Sequence, residues 1–143
     1  MGLIECQDIC KSFGEKVALD HVSVTMEKGK IFGLLGPNGS GKTTLIRIIN
    51  RITIPNSGVI LFDGRPITQR DVEKIGYMPE ERGLYRKMKV GEQALFFARL
   101  KGMSYKDAEA ELKKWFVRFG IESWWNKKVE ELSKGMAQKV QFI

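Results

Sequence analysis

The stretch Gly36-Pro37-Asn38-Gly39-Ser40-Gly41-Lys42-Thr43 decides the fold of this chain. Two glycines separated by four residues and followed by Lys and Thr let successive backbone N–H groups turn inward around phosphate oxygens. Lys42 adds a positive charge toward the β- and γ-phosphates, and the Thr43 hydroxyl can coordinate Mg²⁺. The stretch therefore predicts a binding site for a nucleoside triphosphate with Mg²⁺.

The residues on either side of this loop support the same prediction. The apolar run Ile31–Leu35 is typical of a short buried strand, and Thr44–Ile49 has the pattern of the helix that follows it. The N-terminus of that helix would direct partial positive charge at the phosphates. Thr44 lies at this helix start and is therefore also a predicted nucleotide-binding residue. The alternative is a glycine-rich turn that binds no ligand.

A second informative segment, Leu132–Met136 (LSKGM), lies near the end of the sequence. It precedes an apparent helix over Ala137–Ile143, with Ser133 as the N-cap. Alone, the segment is equally typical of an ordinary capped helix. Together with the loop at Gly36–Thr43, it resembles the ATP-binding subunit of an ABC transporter, in which a Leu-Ser-Gly-Gly-Gln signature closes over the ATP held by the other subunit of a dimer.

This resemblance covers essentially the whole chain. It implies an α/β fold of the P-loop NTPase (ABC ATPase) type, with a partial parallel-sheet core, an antiparallel β-layer and a helical subdomain. It also implies that Ser133 and Gly135 face the γ-phosphate of the partner's ATP. Lys134 replaces the first Gly of the family signature, and Met136 replaces its Gln.

Phe13, in the segment Lys11–Gly14, matches the aromatic residue on which adenine stacks in the family. The alternative for Phe13 is a place in the hydrophobic core. The segment Gly58–Gly64 matches the family's antiparallel strand pair, and its alternating pattern ends in an Asp-Gly turn signal.

Glu80 follows Pro79 at the position where the family normally has Gln. The resemblance assigns Glu80 a catalytic role and, with Thr43, a role in holding Mg²⁺, since a carboxylate is a hard oxygen ligand. Alternatively, Glu80 belongs to a solvated charged run with its neighbours Glu81 and Arg82. This segment and the altered signature favour the sodium- and drug-exporter branch of ABC systems.

The resemblance also indicates missing parts. The family requires an apolar strand that ends in Asp and is followed by Glu, the Walker B region, and then a His, all downstream of the signature. Val59–Asp63 is apolar and ends in Asp, but it precedes the signature and is followed by Gly, so a hairpin strand is predicted. His21 precedes the phosphate loop and does not match the later His. We therefore expect an N-terminal fragment of a longer subunit, inactive in hydrolysis by itself.

Composition indicates a soluble globular chain, with 43% hydrophobic residues and no apolar run near the ~20 residues of a membrane span. No signal peptide is recognisable, which predicts a cytosolic location. Cys6 and Cys10 are too few for a disulfide framework and lack the sequence partners of a zinc site, so free thiols are predicted. The net charge of +7 allows nucleic acid or anionic lipid as a partner, but solvated basic faces are favoured.

Hydrophobic periodicity divides the chain into residues 1–81, a nucleotide-binding core with the β-layer, and residues 82–143, the helical subdomain. One helix is predicted over residues 91–100, ending near Gly102. A second begins at Ser104 with Asp107 as its capping-box partner, and ends at Gly120. Its apolar face favours a core over an interface. That face comprises Ala108, Leu112, Trp115, Phe116 and Phe119.

The full subunit is therefore expected to act as an ATP hydrolase that drives export through separate transmembrane permease subunits. Such a subunit would form a homodimer or heterodimer, lie peripherally on the cytoplasmic face of the membrane, and use ATP and Mg²⁺ but no nucleic acid. One alternative is a soluble ABC-type ATPase that acts on nucleic acid or ribosomes. Another is an isolated module that binds nucleotide without turnover.

Overall fold

In the part of the chain that the structure describes, four strands form one antiparallel sheet. The strands are β1 (Ile4–Phe13), β2 (Lys16–Met26), β3 (Ser57–Phe62) and β4 (Arg65–Pro66). Their order in the sheet is β2-β1-β3-β4, and every pair is antiparallel. The predicted antiparallel layer is therefore confirmed.

The structure, a computed structural model, describes residues 2–79 and 83–143. These residues form two units, which divide between Tyr77 and Met78. The sequence-based boundary between residues 81 and 82 falls within residues 80–82, which lie outside the described residues, so it stays a prediction.

The turn between β3 and β4 consists of Asp63 and Gly64, which have φ angles of 51° and 77°. Positive φ at both central residues is the geometry of a tight two-residue hairpin turn, which the Asp-Gly sequence favours. The hairpin predicted for Val59–Asp63 is confirmed. Asp63 consequently lies in a turn of the antiparallel sheet.

The strand predicted at Ile31–Leu35 is wrong for the described residues. This segment has no regular secondary structure, Ile31 is fully exposed, and the Leu35 side chain is 92% exposed. The segment Ile75–Met78 is likewise irregular. A strand requires a neighbour to pair its backbone groups, and the four strands formed by the described residues pair only with one another. These residues therefore contain no parallel sheet.

Helix α1 (Lys42–Ile49) packs its apolar side chains with those of the sheet. Leu45, Ile48 and Ile49 follow the three- and four-residue spacing that places side chains on one helical face. The buried cluster that they join also contains Cys6, Ile9, Leu19 and Ile60. The helix predicted over residues 44–49 is thus confirmed, and its first turn begins two residues earlier.

A short helix, α2 (Gln69–Val72), contains the buried carboxylate of Asp71. Arg65 donates two hydrogen bonds to Asp71, of 2.8 and 2.7 Å, and Thr68 donates from both its backbone N–H and its hydroxyl. The Arg65 guanidinium, followed by the Thr68 donors, holds the pKa of Asp71 well below its usual range. This network fixes the chain after the β3–β4 hairpin.

The described residues of the second unit form three helices: α3 (Val90–Leu100), α4 (Tyr105–Phe119) and α5 (Lys134–Phe142). Two short 3₁₀ turns, Glu122–Trp124 and Val129–Glu131, connect α4 to α5. The buried residues of the main cluster come from all three helices and from the chain that joins α4 to α5. They are Val90, Phe116, Ile121, Val129, Leu132, Ala137 and Val140.

The predicted ends of α3 and α4 are confirmed. Gly102 and Gly120 have positive φ angles of 91° and 63°, which lie in the left-handed region that commonly ends helices. Ser104 Oγ accepts a hydrogen bond of 3.2 Å from the backbone N–H of Asp107, the predicted capping-box partner.

The apolar face of α4 is partly core. Ala108, Leu112 and Phe116 are buried, whereas Trp115 and Phe119 are only half-buried and stack on each other at 5.9 Å between ring centroids. None of the helices formed by the described residues combines the length and the hydrophobicity needed to cross a lipid bilayer.

Candidate nucleotide-binding site

The phosphate-loop residues Gly36–Gly41 lead directly into α1, as the sequence predicts. Gly41 is the N-cap of this helix and has a φ of 89°. A side chain at this position would clash with the backbone carbonyl oxygen of Ala18, and its Cβ would lie 2.8 Å from Leu19 Cδ2. Glycine is therefore required at residue 41 both for its backbone conformation and because β2 lies against the loop.

The Lys42 side chain folds back over the loop that precedes it. Its Nζ donates hydrogen bonds to the carbonyl oxygens of Gly36 and Pro37, at 2.8 and 2.7 Å, and lies 3.5 Å from Ser40 Oγ. The loop therefore positions the ammonium group with its own backbone. A phosphate oxygen that enters the loop can take the place of these carbonyls as the acceptor.

The start of α1 is suited to an anion. The first N–H groups of a helix have no acceptor within the helix, and the first turn of α1 contains no acidic residue. Thr43, in that turn, is exposed, so its hydroxyl is available to a hard cation such as Mg²⁺. Thr44 follows in the same turn and is half-buried. The residues present therefore fit a phosphate group with a bound Mg²⁺.

Phe13 lies at the end of β1 and is 54% exposed. This exposure contradicts the alternative that Phe13 belongs to the hydrophobic core. Lys11 Nζ lies 5.2 Å from the centroid of the Phe13 ring, a cation–π distance. An exposed ring can stack on a nucleotide base, and adenine stacking by Phe13 stays a prediction.

Ser133 and Gly135 belong to the second unit. Ser133 is the N-cap of α5, and its Oγ accepts a hydrogen bond of 3.3 Å from the backbone N–H of Met136, which confirms the predicted cap. Gly135, in the first turn of α5, is exposed, and nothing lies within 4 Å of where a Cβ would be. Both residues are thus accessible at a helix N-terminus, and their role toward the partner's ATP stays a prediction.

The structure brings together some of the predicted site residues. Gly36–Gly41, Lys42, Thr43 and Thr44 form one continuous loop and helix start. Phe13 lies in the same unit, whereas Ser133 and Gly135 lie in the other. Glu80 lies outside the described residues, so its catalytic and metal-binding roles stay predictions.

Sequence reasoning missed the contribution of Ala18 and Leu19 to the loop. Both residues belong to β2, and no local motif marks them. Only the packing of the strand against Gly41 reveals that they restrict position 41.

Comparison with known proteins identifies related sequences and folds. The family model described as ABC transporter matches residues 19–143. The uncharacterized ABC transporter ATP-binding protein YhaQ of Bacillus subtilis is 48% identical over 99% of this chain and 47% of its own length. The uncharacterized ABC transporter ATP-binding protein MJ1023 of Methanocaldococcus jannaschii is 42% identical over 98% of this chain and 50% of its own length.

Solved structures agree with these matches. The structure of cbiO1 from Clostridium perfringens, part of the ABC transporter complex cbiONQ, has a TM-score of 0.81 and 25% sequence identity. The match covers 99% of this chain and 59% of that one. The chain thus spans about half the length of the curated relatives described above.

Proposed function

Because the chain belongs to the ABC transporter family, we propose that it is part of a subunit that binds MgATP and hydrolyses it to drive export through separate permease subunits. The observation that supports the proposal most strongly is the geometry of the phosphate loop. Strand β2 packs against Gly41, and the loop carbonyls hold the Lys42 ammonium by hydrogen bonds. Hydrolysis and transport are proposed for the longer protein, since this chain spans about half the length of its relatives.

Each site residue has a role in this proposal. The backbone N–H groups of the loop and the Lys42 ammonium bind the phosphates, and Thr43 holds Mg²⁺ together with Glu80. Bound Mg²⁺ would supply charge stabilisation at the phosphate oxygens. Phe13 stacks on adenine, while Ser133 and Gly135 contact the ATP of a second ATPase subunit. A soluble ATPase that acts on nucleic acid or ribosomes is not favoured, because the relatives are ABC transporter ATP-binding proteins.

Replacement of Phe13 by Ala tests the adenine contact. We expect MgATP to bind roughly 2- to 12-fold more weakly, because an aromatic stacking contact contributes about 0.5–1.5 kcal/mol. Phe13→Tyr should retain the wild-type affinity. Calorimetry with MgATP and with inorganic triphosphate measures the effect, since triphosphate has no base and should bind both variants equally. Equal MgATP affinity in wild type and Phe13→Ala would contradict the stacking role.

The permease contact is proposed for an exposed aromatic cluster at the start of the second unit. Tyr85 stacks on Phe97 at 6.2 Å between ring centroids, and Phe96 lies 5.5 Å from Phe97. All three rings are more than one-third exposed. Because a cluster of large apolar groups at the surface favours an interface, these rings are suited to contact another protein. The resemblance of this helical unit to the permease-binding subdomain of ABC ATPases supports the assignment.

A cysteine introduced at Phe96 tests this contact in membranes that contain the longer subunit and its permease. We expect a thiol cross-linker to join Phe96→Cys to a permease subunit. Lys113→Cys, at an exposed position on α4, is the matched control and should give no such product. Equal cross-linking from both positions would argue against the cluster as the contact.

Export rather than import, and the sodium- and drug-exporter branch, are proposed from the residues that depart from the usual family pattern. These are Glu80 at the usual Gln position, and Lys134 and Met136 in the signature. Inside-out vesicles that contain the whole transporter should accumulate substrate when ATP is added outside. Loss of preloaded substrate under the same conditions would indicate import instead.

A further inference from the structure

Strands β1 and β2 both carry an irregularity where they face each other. The pairing steps from Cys6↔Val24 to Ile9↔Val22, which leaves an extra residue on β1, and then to Lys11↔Leu19, which leaves one on β2. These steps are β-bulges, which change the direction of side chains.

Asp8 and His21 lie within the two irregular stretches, with φ angles of 55° and 48°. A positive φ is uncommon for residues other than glycine. Bulges at these places in the hairpin bring polar side chains of both strands to one location.

Three potential metal ligands meet there. Cys10, on β1, and Asp20 and His21, on β2, each offer one ligand atom, and these atoms all lie within 4.8 Å of one another. His21 Nε2 lies 3.9 Å from Asp20 Oδ1. The backbone N–H of His21 donates a hydrogen bond of 3.3 Å to Cys10 Sγ, an interaction that also suits a metal-bound thiolate.

Asp8 orients the imidazole of His21. Asp8 Oδ1 lies 2.7 Å from His21 Nδ1. A proton on Nδ1 is therefore donated to the carboxylate, which leaves the lone pair of Nε2 for a metal ion. The same arrangement of carboxylate, histidine and metal is common in zinc proteins, where the carboxylate fixes the tautomer and raises the basicity of the ligand.

We propose that Cys10, Asp20 and His21 bind a divalent transition-metal ion of the Zn²⁺ class, with Asp8 positioning His21. Thiolate, imidazole and carboxylate are the three ligand types of Zn²⁺ in proteins, whereas Mg²⁺ and Ca²⁺ prefer oxygen ligands alone. This site is separate from the proposed Mg²⁺ contact at Thr43 and does not depend on nucleotide binding.

The ligand atoms, all within 4.8 Å of one another, lie near the spacing that such an ion requires. Bond lengths of about 2.3 Å to sulfur and 2.0–2.2 Å to nitrogen or oxygen place tetrahedral ligand atoms roughly 3.3–3.6 Å apart. The observed distance of 3.9 Å between Nε2 and Oδ1 is close to this range. Asp20 and His21 are exposed, so small side-chain rotations can bring all three atoms into range and leave a fourth position for water.

The prediction of free thiols is confirmed for both cysteines. The proposed site would add metal-binding partners for Cys10 that the sequence does not mark. Its partners are ten and eleven residues away on the facing strand, and only the hairpin brings them to the thiol. Cys6 differs, because it is buried in the core, and burial raises the pKa of its thiol to about 11.

Titration of the reduced, metal-free chain with Co²⁺ tests the proposal. We expect a thiolate-to-cobalt charge-transfer band in the near ultraviolet, with visible bands typical of tetrahedral coordination, and we expect Zn²⁺ but not excess Mg²⁺ to abolish them. Cys10→Ser should remove the charge-transfer band. Asp8→Asn should retain it and weaken Co²⁺ affinity by about 10- to 100-fold, as expected for a group that orients a ligand.

Matched controls separate this site from other groups. Cys6→Ala removes the other thiol and should retain the band, as should Glu15→Gln, which removes an exposed carboxylate from the same hairpin. Circular dichroism without metal checks the folding of every variant. If Cys10→Ser does not fold, Asp20→Asn tests the proposal instead. This variant keeps the thiolate and loses one ligand, so the charge-transfer band should persist but require a higher Co²⁺ concentration. Absence of the band in the wild type, its persistence in folded Cys10→Ser, or unchanged affinity in Asp20→Asn would each overturn the proposal.

Discussion

Replacement of Lys42 by Ala is expected to weaken MgATP binding by roughly 10- to 150-fold, since a hydrogen bond to a charged group contributes about 1.5–3 kcal/mol. The ammonium is already held at the loop by the carbonyls of Gly36 and Pro37. Its removal therefore takes away a positive charge that needs little reorganisation to reach the phosphates. Isothermal titration calorimetry with MgATP measures the loss.

Arg47→Ala is the matched control for this prediction. Arg47 lies in the last turn of the same helix and is exposed, so the variant loses the same unit of charge at the opposite end of α1. We expect its MgATP affinity to stay within about twofold of the wild type, because an exposed charge acts only weakly through water and is further screened by salt. If Lys42→Ala binds MgATP as tightly as Arg47→Ala, the assigned phosphate site is wrong.

Gly41→Ala is expected to damage both the fold and the site. An alanine at a φ of 89° incurs about 1–2 kcal/mol of backbone strain, and the clash with the Ala18 carbonyl adds roughly 1–3 kcal/mol. The loop can relieve this clash only by moving away from β2, which displaces the N–H groups that bind phosphate. Urea unfolding and MgATP calorimetry measure the two effects.

Gly39→Ala separates strain from packing. Gly39 has a similar φ of 82°, but nothing lies within 4 Å of its added Cβ. This variant should therefore be destabilised only by the left-handed backbone conformation of its alanine, which lowers the free energy of unfolding by about 1–2 kcal/mol. Equal destabilisation by the two substitutions would show that contact with Ala18 does not constrain the loop.

Local sequence signals predicted the parts of the fold that local chemistry determines. Ser104 and Ser133 cap their helices, Gly120 ends α4, and Asp63 with Gly64 forms the hairpin turn. In each case, the structure depends on one side chain or glycine and on backbone groups only a few residues away. A short stretch of sequence is therefore enough to predict it.

Features that depend on distant partners could not be predicted in the same way. Ile31–Leu35 has the composition of a buried strand, but strand formation requires a neighbour, which the described residues do not supply. Cys10 meets Asp20 and His21 through two bulges that no sequence pattern marks. The same holds for the contact of Gly41 with β2, which depends on tertiary packing.

The hydrogen bonds from Lys42 to Gly36 and Pro37 make the protein's own backbone a competitor of ATP. Nucleotide must displace two carbonyl acceptors before it gains the ammonium, so the apparent dissociation constant equals the intrinsic constant divided by the fraction of molecules in which Lys42 is released. If that fraction were about one-tenth, apparent affinity would be about tenfold weaker than the contacts with phosphate alone provide. The hydrogen bonds within the phosphate loop thus raise the ATP concentration at which half of the sites are occupied.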